Sequence, residues 1–308
     1  MQRLGWRIVA LLLVTACGAD STAPPGDGPP PGPDVTQPFP IDRGDDGPQT
    51  PGTYKGLWLR VVDNGSPTVT AVDGVIGVVC VGMSNANQEC AAFQQRIRTE
   101  WAAAVNPAVR VVNCALGGHA IERWIDPAYD AVLWDDCLAR KLGAAGVRQD
   151  QVRVIYHKAA NQFTTGAGGA ALPLYPDPSS DYAAFRTHLS EFTARVKSKV
   201  PSAQAVYSSS RSYGGFSGSV SRGEPLSYEE GHALNTWLGQ HATVDGVWYG
   251  WGAYLWAPDC AKGVTNAAGV CYLRTDYVAD GVHPSPAGEQ KISGLIHARF
   301  LREAWYRR

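Results

Sequence analysis

The sequence predicts an α/β domain in which a mostly parallel, five-stranded sheet lies between helices. Three observations carry this. Strand-like and helix-like stretches alternate from residue 53 to the C-terminus. The strand-like stretches are near-continuous apolar runs, as strands covered on both faces require, and the helix-like ones repeat apolar residues at steps of three and four.

Residues 53–70 hold strand-like pieces, among them 57–62, ahead of the turn Asp63-Asn64-Gly65, and are expected to cover a sheet edge. Val75 begins the most continuous apolar run, VIGVVCVG. It gives way at Met83, Ser84 and Asn85 to a helix whose Phe93, Ile97 and Trp101 share one face. Residues 108–115 read as a second strand ending in Leu116, Gly117, Gly118 and His119, and a helix is expected around 131–142. Residues 152–157 form a third strand, running into Lys158, Ala159, Ala160 and Asn161. Beyond a Gly- and Pro-rich loop over 164–178, a helix carries Phe185, Leu189, Phe192 and Val196. Residues 203–207 give the fourth strand, with Ser208, Ser209, Ser210 and Arg211 at its end. A helix over 228–241, a short fifth strand over 246–249 and a last helix after Pro286 complete the domain, the last with Ile292, Leu295 and Ile296 inward and Arg302 outward. In such a sheet a ligand binds beyond the carboxyl ends of the strands.

The chain has 308 residues, 44% of them hydrophobic and 18% charged, with a formal net charge of -1, so nothing in its electrostatics points to nucleic acid. Arg3 and Arg7 precede an apolar run over 8–13, followed by Val14, Thr15, Ala16 and Cys17, the pattern of a secretion signal. Small residues before a cysteine resemble the lipobox of bacterial lipoproteins. That resemblance implies lipidation at Cys17 and an exported protein, anchored on the periplasmic or extracellular side of a bacterial envelope. Three parts follow: a signal over 1–17, a Pro/Gly-rich tether over 18–52 that cannot bury a core, and the domain over 53–308. The tether can reach about 100 Å. Apart from Cys17 there are six cysteines, an even number that suggests three disulfides in an exported chain. Six cysteines allow 15 pairings, among which the sequence does not choose; the local pairs, Cys260 with Cys271 and Cys114 with Cys137, are the ones favoured. The spacings do not resemble a zinc site.

Ser84 stands where a strand becomes a helix, and there the first turn aims unpaired N–H groups outward while its dipole favours negative charge. A serine oxygen at that point can attack a carbonyl and have the oxyanion held. Read alone, Ser84 or Asn85 also fits a plain helix N-cap; distant residues favour chemistry. His283, in Asp280-Gly281-Val282-His283-Pro284 before the last helix, is a candidate general base, because an imidazole titrates near neutrality. Asp280 can hold its other ring nitrogen. The backbone N–H groups of Ser84 and Gly118 and the side-chain amide of Asn161 are candidates for the oxyanion hole.

The ordered set GMSN, GG, AAN and DGVH resembles the SGNH hydrolase superfamily of GDSL-type esterases, and its first block looks most like the GQSN form of sialate O-acetylesterase-like and carbohydrate acetylesterase members. The resemblance implies a flavodoxin-like three-layer α/β/α sandwich, no metal or organic cofactor, and Ser84, Gly118, Asn161 and His283 as the four family residues, with Asp280 three before the histidine. Met83, Ala159 and Gln162 depart from the family's usual residues. A nucleophile elbow fits less well, since Ala86 stands where that motif needs glycine.

The reading that follows is an exported serine esterase removing acyl groups, acetyl above all, from a carbohydrate or glycoconjugate. Its alternatives are a surface carbohydrate-binding protein without turnover and an acyltransferase to a sugar hydroxyl. Gly117, His119, Arg211 and Trp251 are candidates for substrate binding. Trp248, Tyr249, Trp251, Tyr254 and Trp256 could stack on sugars or simply pack. His119 and His157 could line the pocket or bond locally, and His188, His232, His241 and His297 read as helix-surface or structural residues.

Overall fold

The computed structural model describes residues 61–308 apart from Ala159, Val220, Val264 and Ala267. The signal, Cys17, the tether and most of 57–62 lie outside the described residues.

Six strands form one sheet: β1 (Ile76–Gly82), β2 (Val109–Asn113), β3 (Val152–Lys158), β4 (Ala205–Ser209), β5 (Thr243–Val244) and β6 (Val247–Trp251). Their order is β2-β1-β3-β4-β6-β5, and every pair is parallel except β5 with β6. The five expected parallel strands are present in flavodoxin-like order, and a sixth is added at the edge. Its cause is the turn at Asp245 and Gly246, both at positive φ (50° and 78°), the backbone that a two-residue hairpin demands. That turn folds two preceding residues back onto β6.

The helices are α1 (Ser84–Arg98), α2 (Ile121–Ile125), α3 (Leu142–Ala144), α4 (Asp181–Lys199), α5 (Leu226–Gln240) and α6 (Pro286–Phe300). Strand side chains alternate between the two sheet faces, so β1 feeds two cores. Val79 and Val81 join Trp124 of α2, Phe185 and Phe192 of α4 and Trp237 of α5. Val78 and Cys80 join Phe93 of α1 and Ile292, Ile296 and Phe300 of α6. Three layers result. Each buried Val, Ile or Phe contributes about 1.5–3 kcal/mol, so burial on both faces, more than helix propensity, holds them.

On α4 the expected inward set of Phe185, Leu189, Phe192 and Val196 is buried, and Ser180 caps the helix by accepting from Ala183 N–H at 3.3 Å. On α6, Pro286 opens the helix and Ser285 caps it; Ile292 and Ile296 are buried, Leu295 is half-buried, and Arg302 is exposed beyond the helix end. α1 stops at Arg98, so Trp101 packs from the following turn, stacked on His297 at 4.1 Å. The single helix expected around 131–142 is broken into a 3-10 turn (Pro127–Val132), a π-helical stretch (Asp136–Lys141) and α3. Cys137 and Leu142 must both face the core and are five residues apart, a spacing that suits i→i+5 winding.

Residues 61–75 lie over α5 and the ends of β4 and β6. Val62 N–H donates to Asn235 at 2.8 Å, Asn64 Nδ2 to the carbonyls of Leu238 and Tyr249, and Thr70 N–H to Gln204. The segment thus covers that edge without adding a strand to the ladder. Three local disulfides, Cys80–Cys90, Cys114–Cys137 and Cys260–Cys271, include both expected pairs. Among the described residues no helix is long and apolar enough to cross a membrane.

Candidate active site

β1 ends at Gly82, and its φ of +142° lets the chain turn sharply into α1. A Cβ there would stand 2.8 Å from both the Lys158 carbonyl oxygen and the Ala86 Cβ, so only glycine fits. Two residues later Ser84 opens α1, with Oγ at the carboxyl edge of the sheet. There it lies 2.7 Å from His283 Nε2, across 199 residues of sequence.

His283 comes from the loop before α6, and Asp280 folds that loop. Asp280 Oδ1 accepts from the N–H groups of Val282 (2.8 Å) and His283 (3.0 Å), and Oδ2 accepts from the ring Nδ1 of His283 at 2.6 Å. Burial works against the carboxylate, but the hydrogen bonds from the His283 ring and the two N–H groups prevail and bring its pKa down to about 2. An ionised carboxylate can only accept. Nδ1 therefore carries the proton, and Nε2 is left to accept from the Ser84 hydroxyl. Asn85 adds a tie that no pattern in the sequence marks: its Nδ2 donates to the Val282 carbonyl at 2.8 Å, holding the histidine loop to α1.

Gly118 and Asn161 line the same cavity as Ser84 and His283, a space of about 450 Å³. Gly118 sits at φ +75° with open space around a would-be Cβ, so glycine is required there by backbone conformation. Gly117 lies closer to the serine, its would-be Cβ 3.7 Å from Ser84 Cβ.

Asn161 is fixed through four polar atoms. Its N–H donates to Glu230 at 2.7 Å, and its carbonyl accepts from Arg211 Nη2 at 2.6 Å. Its side-chain Oδ1 pairs with His188 Nδ1 and its Nδ2 donates to Asp181, each at 2.8 Å. Because Oδ1 only accepts, His188 must present Nδ1–H. The amide orientation follows, and one of its two N–H bonds remains for a ligand. Behind it, Arg211 Nε bonds Glu230 at 2.6 Å. Burial raises Glu230 well above the usual carboxylate range, with Arg211 opposing, and burial likewise raises Asp181. None of Asp181, His188 or Glu230 stands out in the sequence as a site residue, since their roles depend on how α4 and α5 dock. Lys158, at the end of β3, also lines the cavity and is bonded to the buried Glu89 of α1.

The other sequence candidates divide. Arg211 both lines the cavity and braces Asn161, and Tyr213 lines the cavity beside it. Trp251 does not reach the cavity: it is buried under α5 with Nε1 donating to Asn235, because its β6 position faces the core. Tyr249 and Trp256 are buried as well, Trp248 packs on Tyr207, and Tyr254 packs on Trp251, so this aromatic group builds core. His119 lies outside the cavity wall, its Nδ1 bonded to the Gly117 carbonyl at 2.8 Å and its ring edge-on to Tyr129. His157 is buried and stacked on Phe192 at 4.0 Å, facing the core because of its place in β3. Among the described residues no three His, Cys, Asp or Glu side chains converge as metal ligands would.

No protein-family model matches the chain, and no curated protein matches it in sequence. Several solved structures are similar. A GDSL-like lipase from Bacteroides thetaiotaomicron is 11% identical, with 75% of this chain and 90% of that one covered and a TM-score of 0.41. A mutant form of an acetyl-xylooligosaccharide esterase from Geobacillus is 12% identical, with 77% and 96% covered and a TM-score of 0.40. A gut microbial diltiazem-metabolizing enzyme is 12% identical, with 77% and 48% covered and a TM-score of 0.44.

Proposed function

We propose that this chain is a serine esterase of the SGNH hydrolase superfamily that removes acyl groups, acetyl above all, from a carbohydrate or glycoconjugate. One observation carries the reading: Ser84 Oγ, His283 Nε2 and Asp280 are joined by hydrogen bonds of 2.7 and 2.6 Å at the carboxyl edge of the sheet. His283 Nε2 takes the hydroxyl proton as Ser84 Oγ attacks the ester carbonyl, and Asp280 stabilises the imidazolium. The negative charge collects on the former carbonyl oxygen. The N–H groups of Ser84 and Gly118 and the remaining Asn161 N–H receive it. As the C–O bond to the alcohol breaks, His283 returns the proton to the leaving oxygen, giving alcohol and an acyl-serine. Water then attacks with His283 again as base, releasing the carboxylic acid and restoring Ser84. The first block's likeness to the GQSN form supports the sialate O-acetylesterase-like and carbohydrate acetylesterase branch.

The test is hydrolysis of a chromogenic acetyl ester together with fluorophosphonate labelling. Wild-type protein should turn over and take the label, and folded Ser84→Ala should do neither. A folded wild-type protein inert in both assays would sink the esterase reading and leave a carbohydrate binder. Acylated sugar formed from added acceptor would make the enzyme a transferase.

We also propose that the protein is exported and held at a bacterial envelope through lipid on Cys17. The basic-then-apolar N-terminus and the three disulfides support this. Radiolabelled palmitate should enter the wild-type chain in a bacterial host and be lost in Cys17→Ala.

A further inference from the structure

A second cavity, of about 370 Å³, adjoins the one that holds Ser84 and shares Tyr213 and Gly214 with it. Its volume lies in the range of small-ligand sites. One side is apolar, with Leu172 and Leu174 from the loop before α4 and Leu226 from the start of α5. Three carboxyl groups stand in the wall, Asp181, Glu224 and Glu229, and among the described residues no Lys, Arg or His lines it.

The three carboxyl groups are not equivalent. Glu224 Oε1 accepts from Gly214 N–H and Trp256 Nε1 and its Oε2 from Tyr228 N–H, while Glu229 Oε1 accepts from Tyr175 N–H. Asp181 is the one of the three with an oxygen both buried and unmatched among the described residues. Its Oδ1 accepts from Asn161 Nδ2 at 2.8 Å, while Oδ2 is buried with no hydrogen-bond partner among the described residues, on a residue 1% exposed. A buried carboxyl oxygen without a donor is costly unless a ligand supplies one.

The chemistry of the wall selects the occupant. Carboxyl groups without a cation reject phosphate and carboxylate ligands. Burial raises Glu224 and Glu229 to about 7, which weakens their hold on a cation and lets them accept or donate to hydroxyls. Leucine side chains and the Tyr213 ring suit the C–H faces of a sugar.

We propose that this second cavity is a subsite for a neutral sugar ring, anchored by a hydroxyl that donates to Asp181 Oδ2, next to the sugar whose ester meets Ser84. The proposal rests on the esterase reading of the first cavity and adds where the rest of a carbohydrate substrate goes. Since Asp181 also holds the Asn161 amide, the occupant is one residue away from the oxyanion donor.

The experiment fills the cavity from two sides in the full chain. Leu172 is half-buried on a loop, and Gly218 has open space where a Cβ would stand, so Leu172→Trp and Gly218→Trp add bulk without disturbing the core. Steady-state kinetics on nitrophenyl acetate, which needs only the first cavity, should be unchanged in both. The KM for acetylated neutral oligosaccharides should rise about tenfold or more. In parallel, folded Ser84→Ala should bind unacylated neutral oligosaccharides by calorimetry, and adding either Trp should abolish that binding. Unchanged KM in both Trp variants, or no binding by Ser84→Ala to any neutral oligosaccharide of the panel, overturns the subsite. Failure of wild-type protein to hydrolyse nitrophenyl acetate would instead strike the esterase reading.

Discussion

Asn161 is the residue whose chemistry depends most on its neighbours. In the proposed esterase its amide serves the oxyanion only while Asp181 and His188 hold it the right way round. Asn161→Ala should lower kcat by about 100-fold or more, the usual loss for one oxyanion donor. His188→Ala keeps the donor but frees the amide to turn, so kcat should fall about tenfold or more with KM little changed. An identical KM-to-kcat pattern in wild type and His188→Ala would assign His188 to packing alone. Asp280→Asn should cost up to about 10⁴-fold in kcat, because an amide no longer dictates the imidazole tautomer. Acid does not mimic that variant: with its pKa lowered to about 2, Asp280 keeps its charge until the pH falls through that value. Ser84, Asp280 and His283 are legible in the sequence because short local patterns mark them. Asp181 and His188 are not, since they come from a helix whose inward face reads only as the apolar set Phe185, Leu189, Phe192 and Val196.

At the level of elements, the junction of β1 with α1 fixes the serine. Gly82 is held at positive φ between the Lys158 carbonyl and Ala86, and the Lys158–Glu89 pair ties the same helix to the end of β3. Gly82→Ala must strain the backbone and push these apart. It should cost about 1–3 kcal/mol in chemical denaturation and lower activity further by moving Ser84 from His283. Wild-type stability and turnover in that variant would show that the junction tolerates a side chain. Strands read well from sequence because a run that is apolar at every position suits a strand covered on both faces and little else. The stretch 127–144 reads poorly: its apolar spacing fits a regular helix, whereas Cys137 and Leu142 demand a wider turn. The aromatic cluster on β6 misleads for a related reason, as composition does not say which face of a strand meets solvent. Trp251 is part of the packed core for that reason.

For the whole molecule, buried titratable groups set opposite slopes of stability against pH. Glu229 is 1% exposed, and burial, with Asp181 adding to it, raises its pKa to about 7 against the Tyr175 N–H that lowers it. Between the unfolded carboxylate value and 7 the folded state binds more protons, so this group's contribution is greatest in acid and is lost as pH rises through 7. The shift corresponds to about 3 kcal/mol. His157 acts in the other direction. It is buried against Phe192 without a hydrogen-bond partner among the described residues, and burial lowers its pKa to about 3. Unfolded histidine takes up a proton below about 6.5 while the folded one does not, so stability falls with falling pH from there toward 3. His157→Phe keeps the stacked ring and removes that proton. Its advantage over wild type should therefore grow by about 2 kcal/mol between pH 7 and pH 5, read from denaturant midpoints at the two pH values. Glu229→Gln should do the reverse, losing most against wild type at pH 5 and least at pH 8. Parallel pH–stability curves for wild type and both variants would mean that these buried groups titrate as if exposed, and the packing assigned to β3 and α5 would have to be redrawn.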